Sequence, residues 1–359
     1  MKILHVITSL RIGGAEHLLV DLLPELKRFG FQVDLLLFDG TYTSFYKQLE
    51  EKGIKIHSLG RGFYSMYNPL HLFRLKRFMK RYDIIHTHNT PCQLLAAIAK
   101  NRKSLLVTTE HNTSNRRRTW RGWRYVDRWM YNQYAHIVCV SPMTKDVLTR
   151  YLNNETIQRN ITIIPNGINL SLYRQAQPDK KIKEQYADKH IIVMVAAFRK
   201  QKDHKTLIHA MKQLPNDYVL LLAGEGECQK EHEREVASLA LKDKVIFLGN
   251  CTNVPSLLAT ADVVVMSSHY EGLSLSSIEA MAVGTACIAS DVPGLHEIVN
   301  GAGLLFPPGD TDKLRELIQQ LCKDEMLRTQ VSERCRQRAM QYDFTNMIIS
   351  YKQIYESFI

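Results

Sequence analysis

Residues 3–38 read ILHVITSLRIGGAEHLLVDLLPELKRFGFQVDLLLF. Ile3 to Thr8 is an apolar run of strand length, and the loop after it carries the pair Gly13-Gly14. Leu18, Leu19, Leu22, Leu23 and Leu26 then recur at helical spacing until Gly30 ends the pattern. Val33 to Phe38 is apolar again and reads as the next strand. Strand, glycine loop, helix and strand in that order open a parallel, helix-covered sheet of the α/β class.

The plan continues along the chain. Further strands are expected at Asp83–His88, Leu105–Glu110, Ile137–Val140 and Ile161–Ile164. Pro165-Asn166-Gly167 is a turn signal, and residues 165–190, with the polar run Gln177–Lys181, read as a joint. A second alternating series then places strands at Ile191–Ala196, Tyr218–Ala223, Val245–Leu248, Val263–Ser267 and Ala286–Ala289. The whole chain has 359 residues, too many for one ordinary core. It is expected to form two Rossmann-like domains, residues 1–170 and 171–341. A last amphipathic helix, residues 342–359, puts Met347, Ile348, Tyr351, Ile354, Tyr355 and Phe358 on one side and is expected to pack back on the first domain.

The seven cysteines stand apart, with no C-x-x-C pair, which suits reduced, packed thiols rather than a disulfide framework or a zinc module. No apolar run approaches the ~18 residues of a membrane span. The start is too short and too strand-like for a signal peptide, so a cytoplasmic location is expected. Charge is uneven. Residues 1–175 carry 26 lysines and arginines against 12 acidic residues, while the rest carries 21 against 24. A basic first half attracts phosphate-bearing partners, among them nucleic acid, anionic lipid or an acidic acceptor.

Several residues could carry chemistry. Gly13 and Gly14 would let backbone N–H groups and a helix N-terminus approach a phosphate, although the full G-x-G-x-x-G dinucleotide pattern is absent. His86 and His88 face the same way on a strand, and His111 ends the next one. These histidines suit hydrogen bonding at a ligand crevice; zinc binding, or for His86 a satisfied place in the core, are the alternatives. The densest local signal is Glu271-Gly272-Leu273-Ser274-Leu275-Ser276-Ser277-Ile278-Glu279. Glycine and serine at a helix start suit a diphosphate, and the two carboxylates suit the hydroxyls around it; a capping pattern with a solvated glutamate is the other reading. Asp310-Thr311-Asp312 matches a metal-binding D-x-D pattern, but its place after Pro307-Pro308-Gly309 makes it a helix N-cap.

Taken in order, these markers resemble the retaining glycosyltransferases of family 4, group 1 transferases with the GT-B fold. They run Gly13-Gly14-Ala15-Glu16, Asp83–His88, His111, Pro165-Asn166-Gly167-Ile168, Lys202-Asp203-His204 and Leu222-Ala223-Gly224-Glu225-Gly226. The series closes with the E-x7-E motif Glu271…Glu279 and Ser290-Asp291-Val292-Pro293-Gly294…Glu297. The resemblance implies two Rossmann-like domains facing a cleft, the first receiving the acceptor and the second the nucleotide-sugar. It implies a retaining hexosyltransferase using a UDP- or GDP-linked donor, with no metal cofactor, in bacterial cell-surface polysaccharide or lipid-linked glycan synthesis. By the same resemblance Glu279 holds the ribose, and Glu271 the sugar hydroxyls. Gly272, Leu273, Ser274 and Ser276 lie near the donor, with Gly224 also in the donor site. Lys202 is the diphosphate cation, Gly13 and Gly14 close over the phosphate, and His111 lies near the sugar. One position departs: Ala197 stands where the family has a basic residue, and Arg199, two places on, is expected to replace it.

Two basic segments bear on the acceptor. Pro69–Arg81 reads as a helix with Asn68 as its cap, and Arg117, Arg121, Arg124 and Arg128 recur on one helical face beside Trp120, Trp123 and Trp129. Such a face suits an anionic membrane surface or a pyrophosphate-linked lipid; packed aromatics under a solvated arginine face are the alternative. A sugar-nucleotide epimerase would share the architecture. A nucleic-acid-binding protein would share the charge, yet no helix-turn-helix, zinc or RNA-binding signature is present.

Overall fold

The computed structural model describes residues 1–11, 13–62, 68, 70–111, 118, 120 and 122–358. They form two compact units, Met1–Asn166 with Met347–Ile359, and Gly167–Asn346. Among the described residues, β1 (Lys2–Ile7), β2 (Gln32–Leu37), β3 (Lys55–Ser58), β4 (Ile84–His88), β5 (Leu105–Glu110), β6 (His136–Cys139) and β7 (Ile161–Ile163) build a parallel sheet in the first unit. Its order is β3-β2-β1-β4-β5-β6-β7. In the second unit β8 (His190–Val195), β9 (Tyr218–Ala223), β10 (Val245–Gly249), β11 (Val263–Met266), β12 (Ala286–Ser290) and β13 (Leu304–Phe306) form another, ordered β10-β9-β8-β11-β12-β13.

Helices cover both faces of each sheet, so the inner strands are buried on both sides and read as unbroken apolar runs. β9 (YVLLLA) and β11 (VVVM) are buried at every residue. In the first sheet Leu4, Val6, Ile85, Leu106 and Ile137 face a layer that contains helices His71–Met79, Thr90–Ala99 and Trp123–Tyr131. The alternate residues of β1 and β4 face the other way, and there His5 and His86 are direct register partners.

The sequence reading missed β3 and β13, and it left the joint as coil where helices Leu170–Arg174 and Lys180–Gln185 form. The joint itself is tight: the Ile168 N–H donates to the Tyr342 carbonyl (2.9 Å), and the Phe344 N–H donates back to Ile168 (3.0 Å). A Cβ on Gly167 would lie 2.6 Å from the Phe344 Cα, so glycine is required by the close pass of these two segments. Asp310 caps helix Thr311–Lys323 through the Lys313 N–H, as the turn before it led one to expect.

The basic segments differ from expectation. The first helix begins at His71, with Asn68 accepting from the Leu70 N–H (2.9 Å); Pro69 lies outside the described residues. Gly122, at φ +87°, precedes helix Trp123–Tyr131, so that helix carries only Arg124 and Arg128 of the expected four-arginine face. Arg117 and Arg121 lie outside the described residues.

Candidate functional site

Each sheet reverses its strand order once, between β1 and β4 in the first and between β8 and β11 in the second. In open parallel sheets the crevice at the carboxyl ends of such a pair is where ligands enter. The expected site residues gather at these points. Gly13 and Gly14 follow β1, His88 ends β4 and His111 follows β5. In the second unit Arg199 and Lys202 follow β8, and Glu271 to Ser276 follow β11.

The second unit brings Lys202 and Glu271 into direct contact. The Lys202 ammonium donates to Glu271 Oε1 at 2.5 Å, with side chains 19% and 6% exposed. Ser268 Oγ also donates to Oε1 (2.7 Å), and Gln201 Nε2 approaches Oε2 (3.4 Å) while donating to the Tyr270 carbonyl (2.7 Å). Ser267 Oγ donates to the Asp203 carbonyl (2.8 Å), fixing the turn that carries Lys202 to the end of β11. Glu271 is thus a buried carboxylate supported by three side chains. Ser268 and Gln201 escaped the sequence reading, because a serine ending a strand and a glutamine in a short turn carry no distinctive pattern.

Three residues beyond Glu271, Ser274 is the N-cap of helix Leu275–Val283 but makes no side-chain cap. Its Oγ is buried and has no hydrogen-bond partner among the described residues. The first N–H groups of a helix also lack intrahelical partners, and together with the helix dipole they favour an anion. Ser276 lies in the first turn, Glu279 one turn on, and Gly272 and Leu273 in the approach loop. Arg199 is exposed, two residues after Ala197, and its guanidinium has no hydrogen bond or ion pair among the described residues. Gly224, at φ +141°, packs so closely that a Cβ would lie 2.2 Å from the Ala196 carbonyl oxygen; packing alone accounts for glycine there.

In the first unit Gly13 caps helix Gly14–Arg28 in an extended conformation, and a Cβ there would meet the Glu16 carboxylate. Gly14 is exposed with open space around it. The histidines form a ladder. His5, His86 and His88 have no exposed surface, with ring centroids 4.8 Å apart for His5–His86 and 4.5 Å for His86–His88. His5, which the sequence reading passed over, is the ladder's third member; a lone polar residue inside the β1 apolar run was its signal. One nitrogen from each of His5, His86 and His88 lies within 4.8 Å of the others, close enough to suggest a metal. Their nitrogens are, however, already engaged with one another and with Tyr355, Thr109 and His111, so a cation would have to break those bonds.

Burial lowers the pKa of His5 to about 3 and of His111 to about 4, and holds His86 and His88 well below the ordinary value. These rings stay neutral in the fold, while in the unfolded chain they take protons below about pH 6.5. The stability they protect is therefore complete above that pH and is lost as pH falls from there toward 4 and then 3. Each such ring steepens the loss by up to about 1.4 kcal/mol per pH unit. Denaturant midpoints should fall sharply between about pH 6.5 and about pH 4.5, and a flat profile over that range would contradict neutral burial.

Comparisons with known proteins agree with this geometry. The family model for Glycosyltransferase Family 4 matches residues 12–172, and that for Glycosyl transferases group 1 matches residues 175–338. The chain is 23% identical to an Escherichia coli UDP-Gal:alpha-D-GlcNAc-diphosphoundecaprenol alpha-1,3-galactosyltransferase, covering 99% of this chain and 96% of that protein. It is 28% identical to the N-acetyl-alpha-D-glucosaminyl L-malate synthase of Bacillus anthracis, covering 87% and 92%. Its structure is similar to that of Anabaena HepE solved with UDP, at a TM-score of 0.87 and 22% identity over 99% of this chain and 100% of that one.

Proposed function

The chain belongs to the group 1 glycosyl transferases with the GT-B fold, and on that premise we propose that it moves a hexose from a UDP-linked sugar to a glycan or lipid-linked acceptor with retention of configuration. The observation that carries the reading is the buried Lys202–Glu271 pair beside the uncapped start of helix Leu275–Val283. Glu271 offers an oriented acceptor for sugar hydroxyls. The helix N–H groups and Ser274 Oγ take the diphosphate, with Gly272, Leu273 and Ser276 beside it. Glu279, one turn further on, accepts from the ribose. In the first unit Gly13 and Gly14 offer another helix start to a phosphate. Lys202, released from Glu271 or shared with it, stabilises the charge that grows on the diphosphate as the glycosidic bond breaks, and Arg199 adds to it. This reading assigns that neutralisation to protein cations and a helix end rather than to a metal.

UDP is favoured over GDP because the Escherichia coli relative uses UDP-Gal and Anabaena HepE was also solved with UDP-glucose. A lipid-linked acceptor follows the same relative, which acts on a diphosphoundecaprenol-linked sugar. A thermal-shift panel of nucleotide-sugars tests the donor. A donor at 100 times its Kd stabilises by about 2.7 kcal/mol, a readily measured rise in Tm. If neither UDP- nor GDP-sugars move the transition, the reading fails.

The acceptor side is proposed to lie peripherally on the inner face of an anionic membrane. Among the described residues, no helix is long and apolar enough to cross a membrane. The helices His71–Met79, Thr90–Ala99 and Trp123–Tyr131 pack side by side and leave Phe73, Ile98, Tyr125 and Trp129 exposed, the first and third at 73%. Lys76, Arg77, Lys80 and Arg81 are exposed beside Phe73. Arg74 and Arg128 contribute less than expected, because each donates to backbone carbonyls, Arg74 to Leu59 and Arg128 to Leu152 and Asn153. Flotation with anionic liposomes should give binding that weakens with salt, and exchanging Phe73 for Asp should reduce it. Absence of salt-sensitive flotation would remove the membrane from the proposal.

A further inference from the structure

The histidine ladder ends in the C-terminal helix on one side and in His111 on the other. Tyr355, on helix Phe344–Glu356, is fully buried, and its hydroxyl lies 2.5 Å from His86 Nδ1 and 3.4 Å from His5 Nε2. His5 Nδ1 lies 3.1 Å from His88 Nε2, and His88 Nδ1 lies 3.0 Å from His111 Nε2. His86 Nε2 meets Thr109 Oγ1 at 2.8 Å, and that hydroxyl meets Tyr351 at 3.2 Å. The remaining nitrogen of the series, His111 Nδ1, is buried and has no partner among the described residues.

A neutral imidazole gives one hydrogen and takes one. Along the ring-to-ring run His5–His88–His111 one assigned tautomer fixes the others, so that run has only two senses. In one sense the Tyr355 hydroxyl donates to His86 Nδ1 and accepts from His5 Nε2. His5 Nδ1 then accepts from His88, and His88 Nδ1 accepts from the His111 Nε2–H. In the other sense every hydrogen reverses. The phenol would then spend its proton on the 3.4 Å contact, at the outer limit of hydrogen bonding, while the 2.5 Å contact went to a ring N–H. It would also leave His111 Nδ1–H as a buried donor with no acceptor, a rarer and costlier state than an acceptor with no donor. Both considerations select the first sense.

We infer that Tyr355, His5 and His88 form a one-way hydrogen-bond relay that holds His111 in its Nε2-protonated tautomer, leaving Nδ1 as an acceptor for a hydroxyl of the donor sugar. The inference rests on the nucleotide-sugar reading proposed above, with His111 near the sugar as the family resemblance implies. Burial keeps all of these rings neutral near pH 7, as a fixed tautomer requires. Nδ1 is buried and without a hydrogen bond in this arrangement, so a hydroxyl that reaches it satisfies an otherwise unpaired acceptor. Tyr355, His5 and His88 are positioning residues on this account. The C-terminal helix thereby sets the hydrogen-bonding character of a side chain 244 positions earlier in the chain.

The test is nitrogen NMR of histidine-labelled protein near pH 7, with His111 assigned from the signals lost in a His111→Asn variant. The expected wild-type pattern is a pyridine-like Nδ1 and a pyrrole-like Nε2 on His111. Tyr355→Phe keeps the ring and removes the hydroxyl, and it should shift His111 toward a mixture of tautomers. It should also lower kcat/KM for the nucleotide-sugar about tenfold, the value of one neutral hydrogen bond, while leaving UDP affinity unchanged because UDP lacks the sugar. A protonated Nδ1 in the wild type overturns the relay, and that spectrum decides even if the variant does not fold. An unchanged His111 signal in Tyr355→Phe also overturns it, as does an equal loss of UDP affinity. If the wild type turns over no nucleotide-sugar while the tautomer is as stated, the functional reading fails and the relay stands.

Discussion

Lys202→Ala should lower turnover at saturating donor by about 10²- to 10³-fold, the usual cost of removing one group aimed at developing transition-state charge. It should also destabilise the protein, which separates Lys202 from an ordinary surface lysine. The pair is short at 2.5 Å, and Glu271 is only 6% exposed, so the variant strands a carboxylate beside Ser268 and Gln201 with no cation. Breaking such a pair costs about 3–5 kcal/mol, and the partial exposure of Lys202 moves the expectation to the low end. A double variant, Lys202→Met with Glu271→Gln, removes both charges and should recover most of the stability but none of the turnover. Arg199→Ala is the complementary case. Its exposed guanidinium has no partner to strand, so stability should hold while turnover falls strongly. Denaturant melts beside kcat for the four proteins check this. Near-normal turnover in Arg199→Ala would mean that Lys202 acts alone, and near-normal turnover in Lys202→Ala would remove the proposed chemistry.

The parts of the fold that could be read from the sequence are those where burial leaves no choice. β9 and β11 are covered on both faces, so their sequences are unbroken apolar runs that nothing else explains. β3 (KIHS) and β13 (LLF) lie at the sheet edges, short and only partly buried, and there the pattern loses contrast. The same logic divides the site. Glycines, paired carboxylates and the H-x-H doublet stand out by local spacing, and those residues could be named as candidates from the sequence. Gln201 acts through a neighbour 70 positions away and Ser268 across a three-residue loop, neither in a distinctive pattern, while His5, whose partner lies 83 positions on, left only the trace of a polar residue in an apolar run. Of the arginine face, Arg124 and Arg128 lie on helix Trp123–Tyr131, which starts after Gly122 with its left-handed φ, a break that the periodicity alone does not register.

The link between scaffold and chemistry is tightest at Gly294, and Gly294→Ala should cost both stability and activity. Gly294 sits at φ +86°, and a Cβ there would lie 2.2 Å from the Glu271 carbonyl oxygen and 2.6 Å from its carbon. The Glu271 N–H in turn donates to the Pro293 carbonyl (3.2 Å), and the Gly294 N–H donates to Glu297 Oε2 (2.6 Å). Neither backbone can yield without moving the other. The left-handed conformation costs an alanine about 1–2 kcal/mol, and the overpacking adds about 1–3 kcal/mol. For a unit of this size the sum lowers Tm by roughly 10 °C. Relief comes from pushing Glu271 away from Ser268 and Lys202, and displacements near 1 Å at a reacting centre cost about 10²-fold in rate. Gly309→Ala is the matched control: φ is +80° and nothing lies within 4 Å of the added carbon. It should show the conformational cost alone and full turnover. If Gly294→Ala behaves like Gly309→Ala in both stability and kcat, the backbone of Glu271 has room to spare. Its carboxylate is then not held to the fixed position from which it is proposed to receive the sugar.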